Sequence, residues 1–210
     1  MTQSEQSRES RSRLESFDPD VPRGLMERLR LTRLLKRFPQ RPVWALFMFV
    51  NGFLTIAVLA SVAMLTNTAT LFPSLGPTAF LFFFTPTAPT ASPRNTLFGH
   101  AVGILCGYGS LVLFGLQDSP PANVMGVDAA RVLCAGLSLA ATGALMILCN
   151  VAHPPAGATT LIVSLGIIRR PLALVVVEVA VVFLTLQAIV INRLAGIDYP
   201  LWAKPRSPSP

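Results

Sequence analysis

Asn150-Val151-Ala152-His153-Pro154-Pro155-Ala156-Gly157-Ala158-Thr159-Thr160-Leu161-Ile162-Val163-Ser164 separates two long apolar runs, at a point where a membrane span would ordinarily be plain leucine and valine. Proline lacks a backbone donor and pushes the residue before it towards extended geometry, so helix is broken at Pro154 and Pro155. A new helix can start at Pro155, because proline suits the first helical position and small residues follow. The stretch predicts a broken element whose new helix offers unpaired N–H groups at its N-terminus. In hydrocarbon such backbone survives only where protein covers it or where it lines a wet cavity.

An earlier stretch has the same form. Pro73-Ser74-Leu75-Gly76-Pro77-Thr78 and Pro154-Pro155-Ala156-Gly157-Ala158-Thr159 share Pro-x-x-Gly-x-Thr at an offset of 81 residues. The flanks agree as well: an apolar span precedes each copy (43–66 and 129–149) and another follows it (97–116 and 172–191). These residues predict an all-α polytopic membrane protein of two repeats, each reading span, broken short helix, span. Repeat-built transporters carry this sequence symptom.

Composition agrees. Of 210 residues, 52% are hydrophobic and only 13% charged, with positive mean hydropathy, which excludes an ordinary soluble domain. The net charge of +7 suggests nucleic acid until its distribution is read: ten of the seventeen Lys and Arg precede Pro42. That is the positive-inside pattern, so both termini are expected in the cytoplasm, in a bacterial inner membrane, with no nucleic-acid partner. The first apolar run begins too late and runs too long for a cleaved signal peptide. Cys106, Cys134 and Cys149 are widely spaced within spans and read as buried hydrophobes, not as a disulfide or metal set.

The expected division is a basic cytoplasmic arm over 1–40, partly disordered, a transmembrane domain over 41–195 and a cytoplasmic tail over 196–210. In the arm a short helix over 23–38 suits a membrane surface, ended by Pro39 and Pro42. Residues 67–70 read as a polar turn. Phe80, Phe82, Phe83 and Phe84 read as a face turned to lipid or a neighbouring subunit. Gly99, Gly103 and Gly107 form a small-xxx-small ridge, with Gly109 beside it, that lets another helix approach closely. Charge does not choose between four crossings and six; the inverted repeat that six crossings give explains a site midway between the copies.

The His153-Pro154-Pro155-Ala-Gly-Ala-Thr string, the Ser-Leu-Gly-Pro-Thr-Ala element and Ser-Pro-Arg94-Asn95 with Gly99-His100 resemble the HPP family of integral membrane proteins, over roughly 41–192. Members of that family are associated with nitrite transport, so the resemblance implies nitrite as the substrate.

The residues themselves suit a small monovalent anion without naming it. Helix N-termini are positive ends carrying N–H donors. One copy contributes Ser74, Gly76 and Thr78, the other Pro155, Gly157, Thr159 and Thr160, whose amides and hydroxyls offset the anion's lost water. Arg94, with Asn95, draws the anion in or balances it, and His100 joins the expected binding set, with buried packing or a hydrogen bond across helices as its structural alternative. His153 either takes a proton with the anion or caps backbone freed by the prolines. Glu178 is a carboxylate within a span, a functional candidate whose structural alternative is a bond to Arg131 or His100. No cofactor or metal pattern is present. An intramembrane enzyme using His100, His153 and Glu178, and a scaffold whose basic arm binds lipid or a partner, stand as the other classes. The glycine-rich faces also suit a homo-oligomer.

Overall fold

The computed structural model describes residues 30–67 and 72–203. Residues 1–29, which hold most of the expected arm, and most of the 67–70 turn lie outside these, as do Lys204 and Arg206. The described residues form helices α1 (Leu31–Arg37), α2 (Gln40–Thr66), α3 (Leu75–Phe84), α4 (Pro93–Leu113), α5 (Ala122–Met125), α6 (Ala129–Leu148), α7 (Ala156–Ser164) and α8 (Pro171–Leu194), and contain no strand. A short 3-10 turn, Pro89–Ala91, precedes α4. Four helices, α2, α4, α6 and α8, are long and apolar enough to cross a membrane. At 1.5 Å per residue α3 and α7 reach only about 15 Å, half the hydrocarbon thickness.

Local chemistry sets most boundaries. Pro39 is the N-cap of α2, and Pro42 lies within the first turn of that helix. The expectation that Pro42 ends the preceding helix is corrected, because a first-turn proline gives up an N–H that has no partner anyway. Ser92 caps α4 by accepting from the Asn95 amide, and Asp128 caps α6 by accepting from the Arg131 amide. Asn150, at φ +52°, closes α6: its amide donates to Ile147 and the Val151 amide to Met146. This is a left-handed helix stop, which asparagine tolerates better than other side chains with a Cβ.

The bundle has two differently built halves. In one, Leu59 of α2, Leu75, Ala79, Phe82 and Phe83 of α3, and Val177, Ala180, Val181 and Leu184 of α8 form the main apolar core. Phe82 and Phe83 are completely buried, while Phe80 and Phe84 are half-exposed and stack on each other at 4.9 Å. The expected four-phenylalanine outer face is therefore only two residues wide; a helix turns 100° per residue and cannot present Phe82 and Phe83 on that side too. The segment after α8 is tied back by Tyr199, whose hydroxyl donates to the Ala91 carbonyl at 2.6 Å.

In the other half α4 lies against α6 and α7. A Cβ at Gly103 would stand 2.8 Å from the Ala156 carbonyl oxygen and 2.9 Å from Thr160 Oγ1. One at Gly107 would stand 2.8 Å from the Thr160 carbonyl, and one at Gly99 only 2.6 Å from His153 Cβ. The glycine ridge is thus the seat of α7, whereas a Cβ at Gly109 meets nothing within 4 Å.

The short helices run in opposite directions. Near the end of α3 the Phe82 carbonyl accepts from Asn192, close to the end of α8. Arg94, at the start of α4, lies on that same side, bonded to Trp202 through its amide. The guanidinium of Arg94 reaches the Asn150 and Cys149 carbonyls after α6. The end of α7 lies instead at the start of α6: the Leu165 carbonyl accepts from the buried Arg131 at 3.2 Å and from the Ala122 amide. Arg131 also donates to the Pro120 carbonyl and Arg169 to that of Ser119, fixing the loop between α4 and α6.

Candidate functional site: a histidine pair joining the short helices

Thr78 stands one turn into α3 and Thr159 one turn into α7, at equivalent places in the repeated pattern. Both reach the same imidazole. Thr78 Oγ1 lies 2.9 Å from His100 Nε2, and Thr159 Oγ1 lies 2.8 Å from His100 Nδ1. His100 projects from α4 one residue past Gly99, where the missing side chain lets the His153 side chain and the Val151 carbonyl close in. The side chains of Thr78, Thr159, His100 and His153 are buried to 1% exposure or less.

His153 completes the cluster, its ring centroid 5.0 Å from that of His100. Its Nδ1 lies 2.8 Å from the Thr90 carbonyl and 3.4 Å from Thr96 Oγ1, while Nε2 lies 3.4 Å from Thr78 Oγ1. A carbonyl only accepts, so Nδ1 carries the hydrogen and, in the neutral ring, Nε2 is the acceptor. The bond to Thr90 ties the chain before Pro154 to the turn before α4.

Outside this cluster the two short helices border a common cleft of about 680 Å³. It is lined by Gly76, Pro77, Phe80 and Leu81 of α3 and by Pro154, Pro155 and Ala158. At α3 the Ser74 hydroxyl is buried without a hydrogen-bond partner. At α7 the first amides are not free: Ala156, Gly157 and Ala158 donate to the His153, Pro154 and Pro155 carbonyls. The expected unpaired N–H groups there are corrected, because a tight 3-10 entry satisfies them locally.

A profile of the HPP transmembrane region matches residues 38–200. The chain belongs to the HPP family. This HPP chain is also 29% identical over 165 residues to a transmembrane protein of Dictyostelium discoideum, covering 76% of its own length and 54% of that protein. It thus spans about half the length of that relative. No solved structure matches it.

In the HPP chain the remaining expected residues fall elsewhere. Thr160 faces α6, bonded to Thr142 Oγ1 at 2.9 Å and to the Ala156 carbonyl. A Cβ at Gly157 would meet Leu139 at 3.4 Å, also on α6. Arg94 is occupied by the carbonyls after α6, and Asn95 donates to the Ala152 carbonyl at 3.3 Å, holding the segment that leads to His153. Glu178 has one carboxylate oxygen buried with no hydrogen-bond partner. The partners expected for it are engaged elsewhere, Arg131 on carbonyls and His100 on threonines, so neither bond forms. Among the described residues no three His, Cys, Asp or Glu side chains gather as a metal site would require.

Thr90 and Thr96 were not among the residues expected at the site. Thr96 had a usable signal, standing four residues before His100 on one face of α4. The Thr90 carbonyl had none, since any residue supplies a carbonyl.

Proposed function

We propose that this chain moves a small monovalent anion across the membrane, nitrite being the substrate implied by its resemblance to nitrite-associated HPP proteins. The observation that carries the proposal is the cleft shared by the N-terminal turns of α3 and α7, two short helices that run in opposite directions. Aligned peptide dipoles leave partial positive charge at such ends, and an anion between two of them is stabilised by both. The orphaned Ser74 hydroxyl adds a buried donor at the N-cap of α3, two residues before the cleft-lining Gly76. On this proposal the two copies are an inverted repeat of six membrane elements, the substrate sits at their junction, and both termini face the cytoplasm of a bacterial cell.

The test is uptake of nitrite, nitrate and formate by liposomes holding the purified full chain. Ala158→Trp fills the cleft, and saturable uptake should fall to the level of empty liposomes; the distant Gly109→Ala serves as the control. Uptake of none of the three anions by the native chain overturns the proposal, and so does undiminished uptake by a folded Ala158→Trp.

A further inference from the structure

Both imidazoles of the buried cluster are held without a carboxylate: their hydrogen-bond partners are Thr78, Thr96 and Thr159 hydroxyls and the Thr90 carbonyl. Arg94, the cation at the start of α4, is turned to the carbonyls after α6. A positive charge placed on either ring is therefore not pinned by a buried counter-ion, as a His–Asp pair would pin it. With the Thr78 hydroxyl turned to His153, the donors and acceptors fall into a single direction. The His153 Nδ1–H fixed by Thr90 leaves Nε2 as an acceptor for the Thr78 hydroxyl, whose other acceptor is the Ser74 carbonyl. Its proton being used on either of these, Thr78 accepts from His100 Nε2–H, and the Thr159 hydroxyl donates to His100 Nδ1.

We propose that Thr159, His100, Thr78 and His153 form a proton relay that spans the junction of the two repeats and moves a proton with the anion. The relay deepens the transport proposal and rests on it for its load. An incoming proton binds the Thr159 oxygen as that hydroxyl passes its own proton to His100 Nδ1. The imidazolium so formed gives its Nε2 proton to the Thr78 oxygen, and Thr78 passes its hydroxyl proton to His153 Nε2. His153 then releases its Nδ1 proton to water beyond Thr90, which lies in a partly exposed turn, and both rings turn over to restore the Nδ1–H opposite the Thr90 carbonyl before the next proton. One O–H or N–H bond breaks for each that forms, one proton enters and one leaves, and nothing is oxidised. The donor is hydronium or the protonated anion, the acceptor water on the other side.

Thr78 is where the relay can be opened. Its single hydroxyl proton has a second acceptor, the Ser74 carbonyl at 3.2 Å, competing with His153 Nε2 at 3.4 Å. Rotation of that hydroxyl to Ser74 breaks the path between the two rings. Ser74 also borders the end of α3 proposed for the anion, so occupancy of the site and continuity of the relay share one residue. A purely structural clasp needs the same bonds but no ring able to accept a further proton.

That difference supplies the test. Glutamine at position 100 keeps a donor and an acceptor yet does not become a cation, and serine at position 78 keeps the hydroxyl. The full chain is reconstituted in liposomes with an internal pH dye, and protons moved per nitrite are recorded for native protein, His100→Gln, Thr78→Val and Thr78→Ser. A second arm drives protons by a potassium gradient with valinomycin and no nitrite, and thermal melting in detergent shows that each variant is folded. Protons per nitrite should drop by about a hundredfold in His100→Gln and Thr78→Val and be retained in Thr78→Ser. A native ratio in folded His100→Gln overturns the relay, as does nitrite uptake by native protein with no accompanying proton. If native protein moves no nitrite, or a variant abolishes its uptake, the potassium arm decides. Proton conductance lost in His100→Gln upholds the relay while the transport proposal is judged separately, and conductance that is absent from native protein or unchanged in the variant overturns it.

Discussion

Helices α3 and α7 carry the same Pro-x-x-Gly-x-Thr pattern, but they are held by opposite means. The second, α7, lies in a notch cut by Gly99, Gly103 and Gly107, with backbone in contact and threonines bonded to neighbouring helices. The first, α3, is held by bulk: Phe82 and Phe83 sink into the aliphatic side chains of α2 and α8. Close backbone approach places polar groups to within a few tenths of an ångström, as a hydrogen-bonded cluster needs. Packing of large side chains supplies stability but tolerates small shifts. One half is thus built as a rigid mount and the other as an apolar body against which α3, with Thr78, is carried.

The difference can be broken from either side. The largest effect is expected from Phe82→Ala, which empties a fully buried site between α3 and α8 and should cost about 3–5 kcal/mol, read by unfolding in detergent. A loss under about 1 kcal/mol would mean that the bulky half refills the space and is not held by that ring. Next, Gly103→Ala should cost about 1–3 kcal/mol, since the new methyl meets the Ala156 carbonyl and Thr160, neither free to move far. The smallest effect is expected at Gly109, which faces outwards from the same helix: Gly109→Ala should leave stability unchanged or raise it by up to about 1 kcal/mol. Equal costs at 103 and 109 would remove the notch from the account.

Much of this was legible in the chain itself. The ridge of glycines at spacing four was visible as a ridge because a helix brings every fourth residue to one face. That it receives α7 was not, since nothing local says which helix fills a groove. The phenylalanines show the reverse limit. Their richness marked an apolar helix, but which pair is buried depends on how the helix is rotated against α8. Glu178 was found as the carboxylate within a span, and its two expected partners are committed elsewhere.

By itself the sequence determined where the apolar spans lie, where prolines interrupt the two short elements, and that these elements repeat. Those are properties of neighbouring residues: a run long enough to cross hydrocarbon, a missing N–H, a recurring spacing. The left-handed stop at Asn150 is equally local, although it was seen first in the structure, because it closes α6 using only bonds to the preceding turns. Tertiary structure alone decided that Thr78 and Thr159 meet on the two nitrogens of one imidazole, that His153 turns to the Thr90 carbonyl and that Arg94 caps α6. A hydrogen bond forms only when two atoms come within about 3 Å in the right direction. For groups this far apart along the chain, that distance is set by the packing of every helix between them.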